Sequence, residues 1–499
     1  MDFAEGTQPP VGGGALVSST QASIALPRAA QAARESLAEW QFLCAVALVV
    51  TCLKVALIVL DPHVRLFMGD SASYLASAVQ GWTPPDRSFT YPLLIRFTAV
   101  ASGSIGTLLL VQTLLGAATA MLLCVMLRSA FGVRRTIAAA AAALLALDPA
   151  QLFYERMVMT EAVSTFVLIA TLLLALAYLR TGRLRSVLGC IALGVVLVSL
   201  RVGLVPVALA LGIVVVLLRT PRAAASMPRW LLHLFVAVLA TWSGHQAYKH
   251  WYAARAGGEP AYIRYSGIFR LGLVAPLITA TEMTDAGLDP AMLEEITIPL
   301  NDERRREQQI WLRGGLIDVM QRHVGERSES AAAALAAQVI AHNPLAVLRL
   351  GLRTELDYFD ASLRRERMWS DLGSGQPPDA LTLDMLRRHF GYDAEGLAGM
   401  PSPIWLYFGA SAPWLMFCLF ALTPLALTAL ALSRYKYRRA TVLLALMCAG
   451  FVAGHTICSH IVSFRYLHPM PPLMLACLAI VVDNSMLRIA VRRRERRAS

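Results

Sequence analysis

The chain has 499 residues, 57% of them hydrophobic and only 16% charged, with a formal net charge of +12. A soluble domain carries roughly 25% charged residues, so the deficit marks a bilayer protein, whose lipid-facing and bundle-facing surfaces both exclude ions. The basic surplus sits where membrane topology requires it, which removes nucleic acid as its explanation.

Residues 1–40 are rich in Ala, Ser, Gly and Pro without an apolar period and read as a disordered cytoplasmic tail. The apolar run that follows is too long and too far along for a cleaved leader, so it reads as a retained span. A crossing helix needs about 20 mostly apolar residues. On that criterion spans fall near residues 41–61, 103–127, 135–151, 159–180, 186–201, 203–219, 229–248, 404–432, 440–459 and 467–487. The expected fold class is an all-α integral membrane protein of about ten transmembrane helices. Residues 41–248 form an N-terminal membrane module whose first outer loop is 62–102. A mainly helical extracytoplasmic region, 249–402, separates spans seven and eight, C-terminal spans occupy 403–487, and 488–499 is a basic cytoplasmic tail.

Charge tests this layout independently, because cytoplasmic segments carry the Lys/Arg excess. With the N-terminus inside, the inner turns and C-terminal tail hold 19 basic residues against one acid, Glu495. They include Arg128, Arg134 and Arg135, Arg219, Arg222 and Arg229, and Arg434 to Arg439. Segment 249–402 holds 17 basic and 21 acidic residues and is net acidic. Within it, 302–322 shows helical spacing of Ile310, Trp311, Leu316, Ile317 and Met320, and 331–353 reads as an amphipathic helix interrupted at Asn343-Pro344. Segment 262–280 is apolar enough to lie on or dip into the interface. The eight cysteines lie in or beside apolar runs and none lies in the long polar segment, which argues against a disulfide framework or a zinc site.

This topology gathers four polar clusters on one side: loop 62–102 with Asp70, turn 148–161 with Glu155, Arg156 and Glu161, segment 249–402, and the last outer turn with His460 and Arg465. Bland readings exist for each. Asp70 before Ser71-Ala72-Ser73 suits a helix N-cap, Glu161 suits the dipole at a helix start, Asp61 reads as an interfacial span end, and Glu155 reads as solvated.

Three stretches resemble a known superfamily, the C-type membrane glycosyltransferases, which includes protein O-mannosyltransferases and lipid A aminoarabinose transferases. Gly69-Asp70-Ser71-Ala72-Ser73-Tyr74-Leu75 with Tyr91-Pro92-Leu93-Leu94 is similar to that family's acid-bearing first outer loop. Glu155-Arg156-Met157-Val158-Met159-Thr160-Glu161 looks like its second outer turn, and Arg465-Tyr466-Leu467-His468-Pro469 resembles the opening of a late span. The long outer segment ending in a helix with Asn343-Pro344 is also similar. One departure is Ser71, which stands where many members carry a second acid.

The resemblance implies transfer of a sugar from a polyprenyl-phosphate donor to a lipid, glycan or protein acceptor, at the periplasmic face of a bacterial inner membrane. Asp70 would be the general base, with a pKa raised by partial burial. Glu161 would orient an arginine, or join Asp70 in holding a divalent ion such as Mg or Mn. Arg465, with Arg201 and Lys249 behind it, would bind the leaving phosphate. Tyr74, Arg87, Tyr91, Tyr466 and His468 complete the implied substrate-binding set. The expected geometry is that both outer acids and the late arginine converge on one pocket above the hydrocarbon. The rival reading is a transporter or lipid flippase, which expects ionisable residues in mid-span. Lys54 is the mid-span basic candidate. A non-catalytic membrane scaffold is a further alternative.

Overall fold

A computed structural model describes residues 28–221, 223–373, 378–396, 400–432 and 437–498. Of the expected N-terminal tail, 1–27 lies outside the described residues, as do the inner-turn residues Arg222, Arg434 and Lys436. From Arg28 onward the chain is helical, so the helix that carries the first span begins well before residue 41.

In chain order the helices are α1 (Arg28–Leu60), α2 (Met68–Gln80), α3 (Thr90–Ile95), α4 (Ile105–Phe131), α5 (Arg135–Ala146), α6 (Pro149–Tyr154), α7 (Glu161–Thr181), α8 (Leu184–Leu200), α9 (Val205–Leu218) and α10 (Met227–Ala256). The region after them contains α11 (Ser266–Val274), α12 (Ala280–Asp285), α13 (Gln308–Trp311), α14 (Leu316–Val324), α15 (Ser328–His342), α16 (Pro344–Asp357), α17 (Ala361–Asp371) and α18 (Ala380–Phe390). The chain ends with α19 (Pro403–Leu432), α20 (Arg438–Cys458), α21 (Phe464–Leu467) and α22 (Met470–Ala498). Among the described residues the only strand-like pairing is an isolated bridge between Arg65 and Met157.

Seven of these helices are long and apolar enough to cross a bilayer: α1, α4, α7, α10, α19, α20 and α22. The protein is thus a helical integral membrane protein. Three expected spans are shorter. Helix α5 has 12 residues, α8 has 17 and α9 has 14; at about 1.5 Å per residue, α5 covers roughly 18 Å of a hydrocarbon layer about 30 Å thick. Its continuation is cut by Asp148-Pro149, where Asp148 accepts the Gln151 N–H and starts α6 instead. Arg201, in extended backbone, parts α8 from α9.

The outer region adds to its sequence reading in two places. Segment 262–280 turns part of its apolar surface into the protein: Ile268, Leu271 and Val274 of α11 are buried in a separate core with α14 and α15. The periodic stretch 302–322 is not one helix, because Gly314, at φ +80°, turns the chain between α13 and α14. The interruption at Asn343-Pro344 is real, and α16 departs from the preceding helical segment at 99°.

Glu155 is not solvated, and Lys54 is not an open mid-span charge. Both are fully buried, with Lys54 Nζ donating to Glu155 Oε1 at 2.6 Å and Gln151 Nε2 donating to the same oxygen at 3.0 Å. Gly116 of α4 makes room for that carboxylate; a Cβ there would lie 1.7 Å from Glu155 Oε1. An ion pair sealed by helix packing is structural, and it removes the feature that favoured a transporter. Lys54→Met is expected to cost about 3–5 kcal/mol by leaving a buried carboxylate unpaired. Adding Glu155→Gln should recover most of that, read as apparent Tm in detergent. Equal Tm for wild type and Lys54→Met would show the pair to be unimportant.

Candidate active site

Two backbone hydrogen bonds join the first outer loop to the second outer turn: Arg65 N–H to the Arg156 carbonyl at 2.7 Å, and Val158 N–H to the Arg65 carbonyl at 2.9 Å. Ser71 closes the seam, donating to the Val158 carbonyl at 3.0 Å while accepting from the Phe67 N–H at 2.8 Å. An aspartate at 71 would set a carboxylate against that carbonyl, which explains why a hydroxyl stands there. Gln112 of α4 donates to the Glu155 and Met157 carbonyls, at 3.0 Å each, and fixes the second turn from beneath.

This seam places Asp70 and Glu161 around one arginine. Arg465 Nη1 lies 3.1 Å from Asp70 Oδ2, and its Nε donates to Glu161 Oε1 at 3.0 Å. Its guanidinium also stacks on the Phe67 ring, 4.5 Å from the centroid. Arg87 Nη2 donates to Asp70 Oδ1 at 3.0 Å, pairs with Asp86, and stacks over Tyr74 at 5.0 Å. Arg201 comes from the far side: its Nη1 stands 4.0 Å from Glu161 Oε1, its Nη2 donates to the Arg465 carbonyl, and it stacks over Tyr466 at 5.9 Å. The Nη1 atoms of Arg87 and Arg201 are buried with no hydrogen-bond partner among the described residues.

Asp70 caps nothing. The residue before α2 is Phe67, and no side chain caps that helix. Its pKa is also not raised. Burial pushes it up, but the charges of Arg87 and Arg465 outweigh burial and hold it below the ordinary carboxylate range. Tyr74, by contrast, is pushed up to about 12, chiefly by burial, and stays a phenol.

The other expected site residues divide by distance. Tyr91 stands one layer back, edge-on to Tyr74 at 4.9 Å, with its hydroxyl donating to Gln112 Oε1 at 2.6 Å. His468 is buried behind Glu161, sharing a hydrogen bond with Thr165 at 3.0 Å and packing on Tyr154. Lys249 is not brought to Arg465: it stacks on Tyr262 at 4.7 Å within the aromatic cluster of α10. Asp61, directly after α1, is buried and accepts from Ser402 and from the Ile404 N–H.

The chain is similar in structure to one solved protein, the ArnT of Cupriavidus metallidurans bound to undecaprenyl phosphate. The similarity covers 86% of this chain and 76% of that one, at 15% sequence identity and a TM-score of 0.29. No family model and no curated protein matches the sequence.

A divalent ion does not fit these residues. Both Asp70 oxygens and Glu161 Oε1 already face guanidinium groups, which leaves Glu161 Oε2 as the one carboxylate oxygen of the pair without a partner among the described residues. Among those residues no group of three or more His, Cys, Asp or Glu side chains could hold a metal. Three arginines around two acids instead suit an anion.

One carboxylate at the site had no motif to announce it. Asp371, at the end of α17, accepts from Ser463 Oγ at 2.5 Å and from the Phe464 N–H at 2.6 Å, so it anchors the short helix α21 that carries Arg465 and Tyr466. Tyr358 adds a second tie, donating to the Ser463 carbonyl at 3.0 Å. Burial pushes the Asp371 carboxyl up to about 6, with Glu161 acting in the same direction and the Ser463 and Phe464 donors and Arg465 opposing.

A raised carboxyl pKa favours folding while the group is neutral. Its contribution is therefore complete below the unfolded value near 4 and is lost as pH rises through about 6. Asp371→Asn is expected to flatten that loss, on the order of 2–3 kcal/mol, in a Tm series in detergent from pH 4 to 7. Parallel curves for wild type and variant would rule the linkage out.

Proposed function

We propose that the protein is a membrane glycosyltransferase that moves a sugar from a polyprenyl-phosphate donor to an acceptor on the outer face of a bacterial inner membrane. The observation that carries this reading is the convergence of Asp70 and Glu161 with three arginines, two of which keep buried N–H groups free for an anion. The motifs that resemble C-type glycosyltransferases are the stretches that meet there. A donor whose lipid cannot leave the bilayer needs such a site on a multi-span protein.

In this mechanism the acceptor hydroxyl attacks the anomeric carbon while an Asp70 oxygen takes its proton. The bond from that carbon to the phosphate oxygen breaks, and the lipid phosphate leaves with the electron pair. Its new charge is received by Arg465 and Arg201, whose planar forks match phosphate oxygens. Attack opposite the leaving group makes the reaction inverting.

Asp70 held by two arginines is a weak base at rest. A bound phosphate competes for those guanidinium groups, so donor binding loosens their hold and raises Asp70 basicity when the proton must move. The base is thereby matched to the loaded site rather than the empty one. Glu161 keeps Arg465 between phosphate and base.

The test follows transfer of radiolabelled sugar from polyprenyl-phosphate donors in membranes holding the full chain. Label appearing in an acceptor supports the assignment. Absence of transfer from every lipid-linked sugar tried would overturn it.

A further inference from the structure

Arg87 lies in the loop between α2 and α3, where no helix fixes the direction of its side chain. The loop is instead gripped on both sides of it. Ahead of Arg87, Tyr252 of α10 donates its hydroxyl proton to the Pro84 carbonyl at 3.0 Å and accepts from the Arg264 N–H at 3.2 Å. The Tyr265 N–H donates to the Pro85 carbonyl at 2.9 Å. Behind Arg87, Tyr248 of α10 donates to Ser88 Oγ at 2.8 Å, and that oxygen stands 3.1 Å from Thr90 Oγ1.

Phe89 tightens the rear grip. Its buried ring lies roughly parallel to those of Tyr248 and Tyr252, with centroids 6.3 and 6.5 Å away. Trp251 meets it edge-on at 4.7 Å, and the Arg255 guanidinium covers it at 5.0 Å. Tyr248 and Tyr252 are one turn apart on α10, so one face of a membrane-crossing helix makes both grips. Tyrosines of an interfacial belt turn their hydroxyls to water and headgroups. These two are buried, and their hydroxyls are spent on the loop.

Between the grips stand Asp86 and Arg87. Arg87 Nε donates to Asp86 Oδ1 at 3.1 Å, and its Nη2 reaches Asp70 Oδ1 at 3.0 Å. Prolines at 84 and 85 fix φ and remove slack from the front of the segment. A loop tied at both ends in this way gives its central arginine one direction.

We infer that Tyr248 and Tyr252 are positioning residues: by clamping segment 84–89 they hold Arg87 against Asp70. The inference deepens the transferase reading and rests on it for any effect on rate. An arginine free to swing carries its charge away from Asp70, and the attraction falls with distance. Asp70 then keeps Arg465 of α21, itself paired with Glu161 of α7, while Tyr74 of α2 and Tyr466 of α21 stand nearby. Its protonation moves to higher pH, back towards the usual carboxylate range.

The test removes both hydroxyls and keeps both rings, as Tyr248→Phe/Tyr252→Phe. In membranes holding the full chain, sugar transfer at neutral pH is expected to fall about 10- to 100-fold, the scale of a misplaced catalytic group. The kcat/KM profile should gain an acid limb at higher pH than that of wild type. Tyr178→Phe is the control, because it deletes a buried hydroxyl bonded to His233 of α10 at 2.9 Å. It should lower Tm without moving the profile. In an Arg87→Met background the two tyrosine changes should alter neither rate nor profile further.

A readout without sugar follows the same carboxyl. In purified full-length protein, the infrared carboxyl band lost in Asp70→Asn should grow in at higher pH in the double tyrosine variant than in wild type. An unmoved band with an unmoved kcat/KM profile would overturn the inference and keep the enzyme. So would a further loss of transfer in the Arg87→Met background, since the tyrosines would then act elsewhere. A moved band in a protein whose wild type transfers no lipid-linked sugar removes the enzyme and keeps the clamp.

Discussion

Asp70→Asn is expected to lower sugar transfer by about 10²- to 10⁴-fold, the range typical of removing a general base. The amide matches the carboxylate in size and can still accept from one arginine, so the fold should persist. KM for the lipid donor should change little, because the phosphate contacts lie on Arg465 and Arg201. The pH dependence adds a second readout. Asp70 in the free protein lies below the usual carboxylate range, held there against burial by Arg87 and Arg465. Its ionised form is thus present above the unfolded value near 4 and is lost only as pH falls through the depressed one. The profile of kcat/KM, which reports the free enzyme, should show no acid limb from Asp70 between about pH 5 and 8. The profile of kcat should show one at higher pH than kcat/KM, since bound phosphate draws the arginines away. Transfer by Asp70→Asn within about threefold of wild type would remove the base assignment.

Much of this arrangement was legible in the sequence because membranes constrain it twice. Hydrocarbon demands long apolar helices, and arginine placement orients them. Together these put Asp70, Glu161 and Arg465 on one side before any contact was known, and the contacts of about 3 Å follow. The misses have physical causes. Helices α5, α8 and α9 are shorter than their apolar runs, because composition alone does not show where Pro149 or an extended Arg201 intervenes. Lys249 stands behind Arg465 only in what the resemblance implies, and in the fold its ammonium stacks on Tyr262 instead. Glu155 was read as solvated because nothing local shows that Lys54, 101 residues earlier, will meet it. Asp371 carried no signal at all. It matters through a loop 92 residues away, a relation that only the folded chain creates.

Arg465→Ala is the most damaging single change the site predicts, and it should act on stability and chemistry separately. Glu161 is almost wholly buried, and without Arg465 its nearest cation is Arg201 Nη1 at 4.0 Å. Leaving such a carboxylate without its partner costs about 3–5 kcal/mol. Asp70 keeps Arg87 and loses its second clamp. On the chemical side, the leaving phosphate loses one preorganised donor pair, a change of about 10²- to 10³-fold in kcat. Glu161→Gln in the Arg465→Ala background separates the two. Neutralising the orphaned acid should restore most of the apparent Tm, because a buried amide costs far less than a buried unpaired charge. Transfer should stay low, because the phosphate still lacks its cation. Arg465→Lys tests the geometry, since an ammonium retains the charge but cannot bridge Asp70 and Glu161 with separate nitrogens. It should keep most of the stability and recover only part of the rate. Were the double variant to regain transfer along with Tm, Arg465 would be a structural counter-ion to Glu161 and the phosphate would have to be held elsewhere.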